Sequence, residues 1–453
     1  LIFIVLMHSA SATRFVRAVA LVAGTTGGGT GARPLAPPHS VSGFSGGASV
    51  AVNHLVAFSD IVVGLGIIGG SPYGCSQLPD CGNTCSGYQS STKHHLENTS
   101  IPWNSWLDGL RGGYIAQRAR AGQVAPLSHL ASKPVYLFSG LDDVYVYQSV
   151  MRAVDYQFRS FSSRVKSEFS LYAAHAWVVD NATCPHPGAA AIGKRAQEHA
   201  QCCGIKGQVG SCAFEGKAAA PFLPQGCCGT CSAGDVSSGN TALASISCRH
   251  LLTRSRCPLQ QDNRNETRIP MSPGWRPPIN NCDYDMSGEI LRWVHGTEVV
   301  RARRPVVPGN LIAVNQSSFL PTNWTVEKAL LDPLGYVYVP QACRLANQSM
   351  HGVPEGMSVQ PLFAANCSIH VHYHPCGGSI RDVGLSYMLE NALPAYAEAN
   401  NMVIVYPQSG SVNNPAGAGC FDWYGAVGQD FDTRTGIQLN FVLRMIRELQ
   451  EAA

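Results

Sequence analysis

Ser42-Gly43-Phe44-Ser45-Gly46-Gly47 is the stretch on which the reading of the chain turns. It carries the pattern G-x-S-x-G with Ser45 at its centre. In that pattern a serine sits on a sharp strand-to-helix turn, and its hydroxyl projects from the end of a sheet. Flanking glycines suit a strained backbone that leaves no room for side chains. The surroundings fit: Val41 ends a short extended run, and Ala48, Val52, Leu55 and Val56 recur at helical spacing. Alone the pattern is weak, because small residues also cluster in ordinary Gly/Ser loops. Its weight has to come from the rest of the chain.

The chain has 453 residues, enough for one large domain or two or three ordinary ones. With 45% hydrophobic and 13% charged residues and a net charge of +3, it reads as a weakly charged globular protein with no call for a nucleic-acid partner. It holds 17 cysteines, many in Gly/Pro contexts, and sequons at Asn98, Asn181, Asn265, Asn315, Asn323, Asn347 and Asn366. Together these point to an oxidising secretory route and a secreted, extracellular glycoprotein. Leu1 to Met7 is a short apolar run followed by Ala10-Ser11-Ala12, so residues 1–12 read as a signal-peptide remnant, with a buried strand as the alternative. No run of about 18 apolar residues occurs, so no membrane span is expected. Cys75, Cys81 and Cys85 have spacing that suits a metal, but without a nearby His disulfides are favoured; no metal and no cofactor is expected.

Residues 13 to 36 are rich in Gly, Ala and Thr and read as loose. After the turn and its helix, the apolar run Ile61 to Gly70 is long enough for a buried parallel strand. Pro134 to Ser139 reads as another and runs into Gly140-Leu141-Asp142-Asp143. Acidic residues just past a strand's C-terminal end stand where open α/β sheets place their sites, although a solvated turn gives the same pattern. Phe169 to Ala174 is a third candidate strand, ending at His175, which is either a packed histidine or the last of an ordered set Ser…Asp…His. Residues 186–270 differ. They are Cys-, Gly- and Ser-rich with few apolar runs, and Cys228-Gly-Thr-Cys231 lacks the setting of a redox or zinc motif. They read as an insertion, disulfide-rich or poorly ordered, between a first part (13–185) and a second (271–453). In the second part Tyr336 to Val339, Cys367 to Tyr373 and Met402 to Tyr406 read as strands. A helix runs through Leu389, Leu393 and Tyr396, and a last helix over 436–450 shows Phe441, Val442, Met445, Ile446 and Leu449 on one face. Strands alternating with helices predict a mostly parallel central sheet with helices on both faces.

A serine that attacks an ester needs N–H donors for the tetrahedral oxyanion. One follows the nucleophile, and the other comes from a His-Gly type loop after an earlier strand. Too little chain precedes Ser45 to hold that strand. The good candidate is His374-Pro375-Cys376-Gly377, near the far end. From there the order is strand, helix, strand, helix, and the next element required is the one in which Ser45 lies. The order makes sense as a circularly permuted α/β-hydrolase.

Segments in order along the chain resemble those of extracellular poly(3-hydroxybutyrate) depolymerases. They are Ser42 to Asp60, Gly69-Gly70-Ser71-Pro72-Tyr73-Gly74-Cys75, Leu137-Phe138-Ser139-Gly140 with Asp143, and His175 with Asp180-Asn181. Pro278 to Asp285, Gly335 to Pro340, Cys367 to Cys376, Tyr406-Pro407-Gln408 and Gly419 to Gly425 continue the set. The resemblance spans about residues 38–185 and 271–450 and is strongest to the single-domain, circularly permuted type. It implies Ser45 as nucleophile, His175 as base and Asp143, rather than Asp142, as the orienting carboxylate. It also implies N–H donors from Gly46 and Cys376, and substrate contacts from Phe44, Tyr73, His374, Phe421 and Trp423. The family's His-Gly-Cys is His-Pro-Cys here, with the donor still at Cys376. Phe421 stands where a Trp is usual. The implied substrate is a polyester or a small ester, and the implied state a monomer. Two alternatives stand beside it: an esterase for other short-chain or feruloyl esters, and an inactive secreted binding protein on the same fold.

Overall fold

A computed structural model of the chain describes residues 36–77, 113–141, 143, 145–171, 173, 175–180, 279–281, 284–303, 306–345, 361–410 and 419–451. Strand β1 (His39–Phe44) leads through Ser45 into helix α1 (Gly46–Ala57), and α1 leads to β2 (Val62–Ile68). Helix α2 (Tyr114–Arg120), strand β3 (Val135–Phe138), helix α3 (Gln148–Arg159) and strand β4 (Val165–Glu168) follow. Next come the short strands β5 (Trp177–Val179) and β6 (Ile279–Asn281), then helix α4 (Met286–His295). The chain continues through β7 (Leu311–Asn315), β8 (Leu334–Tyr338) and β9 (Ser368–Tyr373). Helices α5 (Ile380–Val383), α6 (Ser386–Glu390) and α7 (Leu393–Asn400) lead to β10 (Met402–Tyr406) and the last helix α8 (Ile437–Leu449).

Eight of these strands form one sheet in the order β7-β8-β10-β9-β1-β2-β3-β4. Strand β8 runs antiparallel to both of its neighbours, and the other pairings are parallel. Counted from β7 and wrapped through β1, the order becomes 1-2-4-3-5-6-7-8, and the strand that carries Ser45 is fifth. The two parts of the chain therefore share one sheet, joined where β1 pairs with β9. This is a permuted α/β-hydrolase sheet.

Alternation along the strands builds a core on each face. Val135 and Leu137 of β3, Val403 and Val405 of β10, and Val41 of β1 face one side, where they pack with residues of α1, α3 and α8. Tyr136 and Phe138, Met402, Ile404 and Tyr406, and Phe44 face the other, where Met286, Ile290 and Leu291 of α4 and Leu393 and Tyr396 of α7 cover them. Helix α8 shows why the pattern reads as a helix. Phe441, Val442, Met445, Ile446 and Leu449 are buried, while Arg444 pairs with Glu448 one turn on. Among the described residues no helix is long and apolar enough to cross a membrane.

The structure corrects two local readings and adds a strand. The third strand lies at Val165–Glu168 rather than 169–174, because this edge strand (Val-Lys-Ser-Glu) is polar and carries no apolar run. The helix through Leu389 and Tyr396 is broken into α6 and α7 at Ala392, which adopts φ 67 just ahead of Pro394. Strand β7 alternates buried and half-buried positions at the sheet's other edge, a signal too short to stand out from loop sequence. The expectations for residues 1–35 and 186–270, and for Cys81 and Cys85, lie outside the described residues. The segments on either side of that second stretch meet as the parallel pair β5–β6.

Candidate active site

The site begins with backbone geometry. Ser45 sits between β1 and α1 at φ 57 and ψ −126, a conformation L-residues rarely adopt. Its N–H is anchored to Ile68 O of β2 at 2.8 Å, and its carbonyl accepts the first helical bonds from Ala48 and Ser49. The flanking glycines are sterically required. A Cβ on Gly43 would lie 2.2 Å from Gly47 O, and one on Gly47 would lie 2.3 Å from His374 O. The turn thus packs backbone to backbone against its own helix and against the loop after β9.

The turn holds the Ser45 hydroxyl 2.8 Å from His175 Nε2. On the far side of the ring, His175 Nδ1 donates to Asp143 Oδ2 at 2.7 Å. The second carboxylate oxygen, Oδ1, accepts the N–H groups of Tyr145 and Val146 at 3.0 and 2.8 Å. Asp143 is buried, so these bonds replace the water it would otherwise hold. The carboxylate fixes one imidazole tautomer, with the proton on Nδ1 and a free pair on Nε2 aimed at Ser45. Phe44 and Tyr145 both lie tilted against the ring, with centroids 4.7 and 5.4 Å away. The neighbouring Asp142 lies outside the described residues.

Gly46 is the first residue of α1, where helix N–H groups have no acceptor within the helix. A Cβ there would lie 2.8 Å from Cys376 Sγ and 3.6 Å from the Trp423 ring, so the loop after β9 and half-buried Trp423 close directly over the turn. Neither the Gly46 nor the Cys376 N–H donates to an acceptor among the described residues. Cys376 is disulfide-bonded to Cys420, which ties this loop to the segment bearing Phe421 and Trp423. A second disulfide, Cys343–Cys367, precedes β9, and Cys75 is disulfide-bonded as well.

Four of the residues given substrate contacts turn inward, among them Phe44, which is fully buried in the core. Tyr73 is fully buried, and its hydroxyl donates to Asp432 O at 3.1 Å. Phe421 is buried edge-on to Tyr373 and 4.6 Å from the His374 ring. His374 is 1% exposed, with both ring nitrogens engaged by backbone. Tyr145 has no counterpart among the residues read from sequence. It is 43% exposed at the edge of the site, and an aromatic two positions past the acid is the one signal that marks it.

Beneath the turn runs a buried polar ladder. Ser40 and Ser42 of β1 alternate with His370 and His372 of β9 through contacts of 2.7 to 2.8 Å. The ladder ends on His295 of α4 at one side and Tyr387 of α6 at the other. On the opposite face His39 meets His54, which meets Tyr373. Burial pushes His39 and His295 down to about 4, His372 to about 3, and His54 and His370 well below the usual range, so all five are neutral near pH 7. They join the two central strands without adding charge under the site.

No protein-family model matches the chain. It is 24% identical over 416 residues to a poly(3-hydroxybutyrate) depolymerase from Delftia acidovorans, covering 90% of this chain and 58% of that protein. It is also 24% identical over 429 residues to a polyhydroxybutyrate depolymerase from Talaromyces funiculosus, covering 90% of this chain and 88% of that one. Two solved structures share the fold: a PHB depolymerase from Penicillium funiculosum (TM-score 0.52) and a PHB depolymerase complexed with R3HB trimer (TM-score 0.53). Each is 22% identical and covers 91% of this chain and 98% of its own. The chain spans less than two thirds of the Delftia relative and most of the fungal one. The resemblance first read from scattered motifs thus extends along nine-tenths of the chain, and the protein is similar, in sequence and in fold, to poly(3-hydroxybutyrate) depolymerases.

Proposed function

We propose that the protein is a serine esterase that hydrolyses poly(3-hydroxybutyrate) or its oligomers. The observation that carries this reading is the hydrogen-bonded line Ser45–His175–Asp143 at a strained strand-to-helix turn. His175 Nε2 takes the Ser45 proton as Oγ attacks the ester carbonyl, and Asp143 stabilises the imidazolium that forms. The Gly46 and Cys376 N–H groups hold the oxyanion. Collapse of the tetrahedral species passes the proton from His175 to the departing alkoxide and leaves an acyl-enzyme. His175 then takes a proton from water, hydroxide attacks the acyl carbon, and the hydroxyacid leaves as Ser45 regains its proton. Names of the relatives supply the substrate class, and Trp423 and Tyr145 supply apolar edges against which a polyester chain can lie. The disulfides Cys343–Cys367 and Cys376–Cys420 suit an oxidising, extracellular setting.

The test places the purified protein on a chromogenic short-chain ester and, in parallel, on a turbid poly(3-hydroxybutyrate) suspension. Hydrolysis of the ester and clearing of the suspension are expected, both lost in Ser45→Ala. Ester hydrolysis without clearing would restrict the enzyme to small esters. Inactivity on both would favour a binding role on the same fold.

A further inference from the structure

We propose that His374 is a positioning residue: it fixes the plane of the Pro375–Cys376 peptide and thereby aims the Cys376 N–H. The inference rests on the reading of that N–H as an oxyanion donor. His374 Nδ1 lies 2.8 Å from Pro375 O, and Ser409 N–H points at His374 Nε2 from 3.0 Å. A carbonyl can only accept, so Nδ1 carries a proton. A backbone N–H can only donate, so Nε2 is bare. One neutral tautomer satisfies both partners, and burial favours the neutral ring.

Pro375 O also accepts from Gly378 N–H at 3.0 Å, so both of its lone pairs are used. The peptide is planar and trans, so a carbonyl oxygen held in place sets the direction of the N–H at the other end, which is that of Cys376. The proline ring already restricts φ at 375. Rotation about ψ of Pro375 is the remaining freedom that would swing this plane, and the His374 bond opposes it. The same ring ties the loop to Ser409, just past the end of β10, while the Cys376–Cys420 disulfide holds the loop's other side. With no glycine in the middle of His-Pro-Cys, the loop reaches its shape through a rigid residue and an imidazole brace.

Parent, His374→Phe and His374→Asn proteins are compared for kcat and KM on a chromogenic short-chain ester and for inhibition by an alkyl boronic acid, which forms a tetrahedral adduct on a nucleophilic serine. Phe keeps the ring and removes both nitrogens. In His374→Phe, kcat is expected to fall by about 10²-fold, the scale of one oxyanion donor. KM stays within about threefold, and boronate affinity falls in step with kcat. His374→Asn, whose amide N–H can reach Pro375 O, is expected to recover about tenfold of the loss. An unchanged kcat in His374→Phe, or a rise in KM alone, overturns the proposal. Should His374→Phe fail to fold, nitrogen-15 spectra of the parent's histidines decide: His374 protonated on Nδ1 and bare on Nε2 at pH 7 to 8 supports it, and the reverse tautomer overturns it. A parent that neither cleaves the ester nor binds the boronate overturns the esterase reading itself, whereas an active parent with an unaffected His374→Phe overturns only the role of His374.

Discussion

At the scale of the residue, the site is a balance between strain at Ser45 and the contacts that hold it there. A non-glycine residue at φ 57 costs on the order of 1–3 kcal/mol and persists only when its surroundings fix it. Here the Ile68 carbonyl and the first turn of α1 do so. Ser45→Ala is expected to abolish ester hydrolysis and keep the parental melting temperature within a few degrees, since among the described residues the hydroxyl's one hydrogen bond is to His175. Asp143→Asn is expected to lower kcat by about 10⁴-fold with KM little changed, because an amide cannot fix the tautomer or stabilise the imidazolium; steady-state kinetics on a short-chain ester check it. A loss confined to KM would assign Asp143 to binding instead. Ser45 was legible in the sequence because it stands at a strand's end beside glycine, where the backbone turns; Asp143 was set apart from Asp142 only by the resemblance, which matches the position three residues after Gly140. Tyr145 was not, because its approach to His175 depends on how two separate loops meet. Nor does sequence tell a His374 that faces substrate from one turned inward on Ser409.

At the scale of the element, β1 and β9 carry the account. Strand β1 (His-Ser-Val-Ser-Gly-Phe) is too polar to read as a buried central strand, yet all six residues are buried. The reason lies across the sheet, where His370 and His372 satisfy its serines. This partnership was hidden because it spans 330 residues of chain between Ser40 and His370. It carries a pH dependence. Unfolded histidines protonate near 6.5, whereas burial holds His39 and His295 near 4 and His372 near 3. The unfolded state thus binds more protons below pH 6.5. Stability is fully present above that value and is lost as the pH falls toward 4, by about 1.4 kcal/mol per pH unit for each such histidine. The melting temperature is expected to be flat from pH 8 to 7 and to drop steeply below pH 6; a flat profile down to pH 5 would contradict the neutral ladder. Where β9 meets the turn, Gly47→Ala is expected to cost about 1–3 kcal/mol and lower kcat more than tenfold, because its Cβ collides with the His374 carbonyl. Thermal melts and kinetics together test this.

At the scale of the whole molecule, a permuted chain rebuilds one hydrolase sheet. The position of His374-Pro375-Cys376, far along the chain from Ser45 yet just past the strand that pairs with β1, made the permutation legible. The antiparallel edge, β8 with β7, was not legible, because direction within a sheet leaves little mark on a short apolar run. A rearranged chain that joins Ala453 to Leu35 through a short linker and opens within 186–270 restores the order oxyanion loop, Ser, Asp, His. It is expected to fold and to retain ester turnover within about tenfold, since the strand pairings that build the sheet are kept; failure to fold would assign the opened stretch a structural part in the sheet. The most direct test of the central claim is chemical. The intact protein is treated with a fluorophosphonate that reacts with activated serines, digested and read by mass spectrometry. One adduct per chain is expected, on Ser45, formed as esterase activity disappears. An adduct on a different serine, or full loss of activity with Ser45 unmodified, would contradict it.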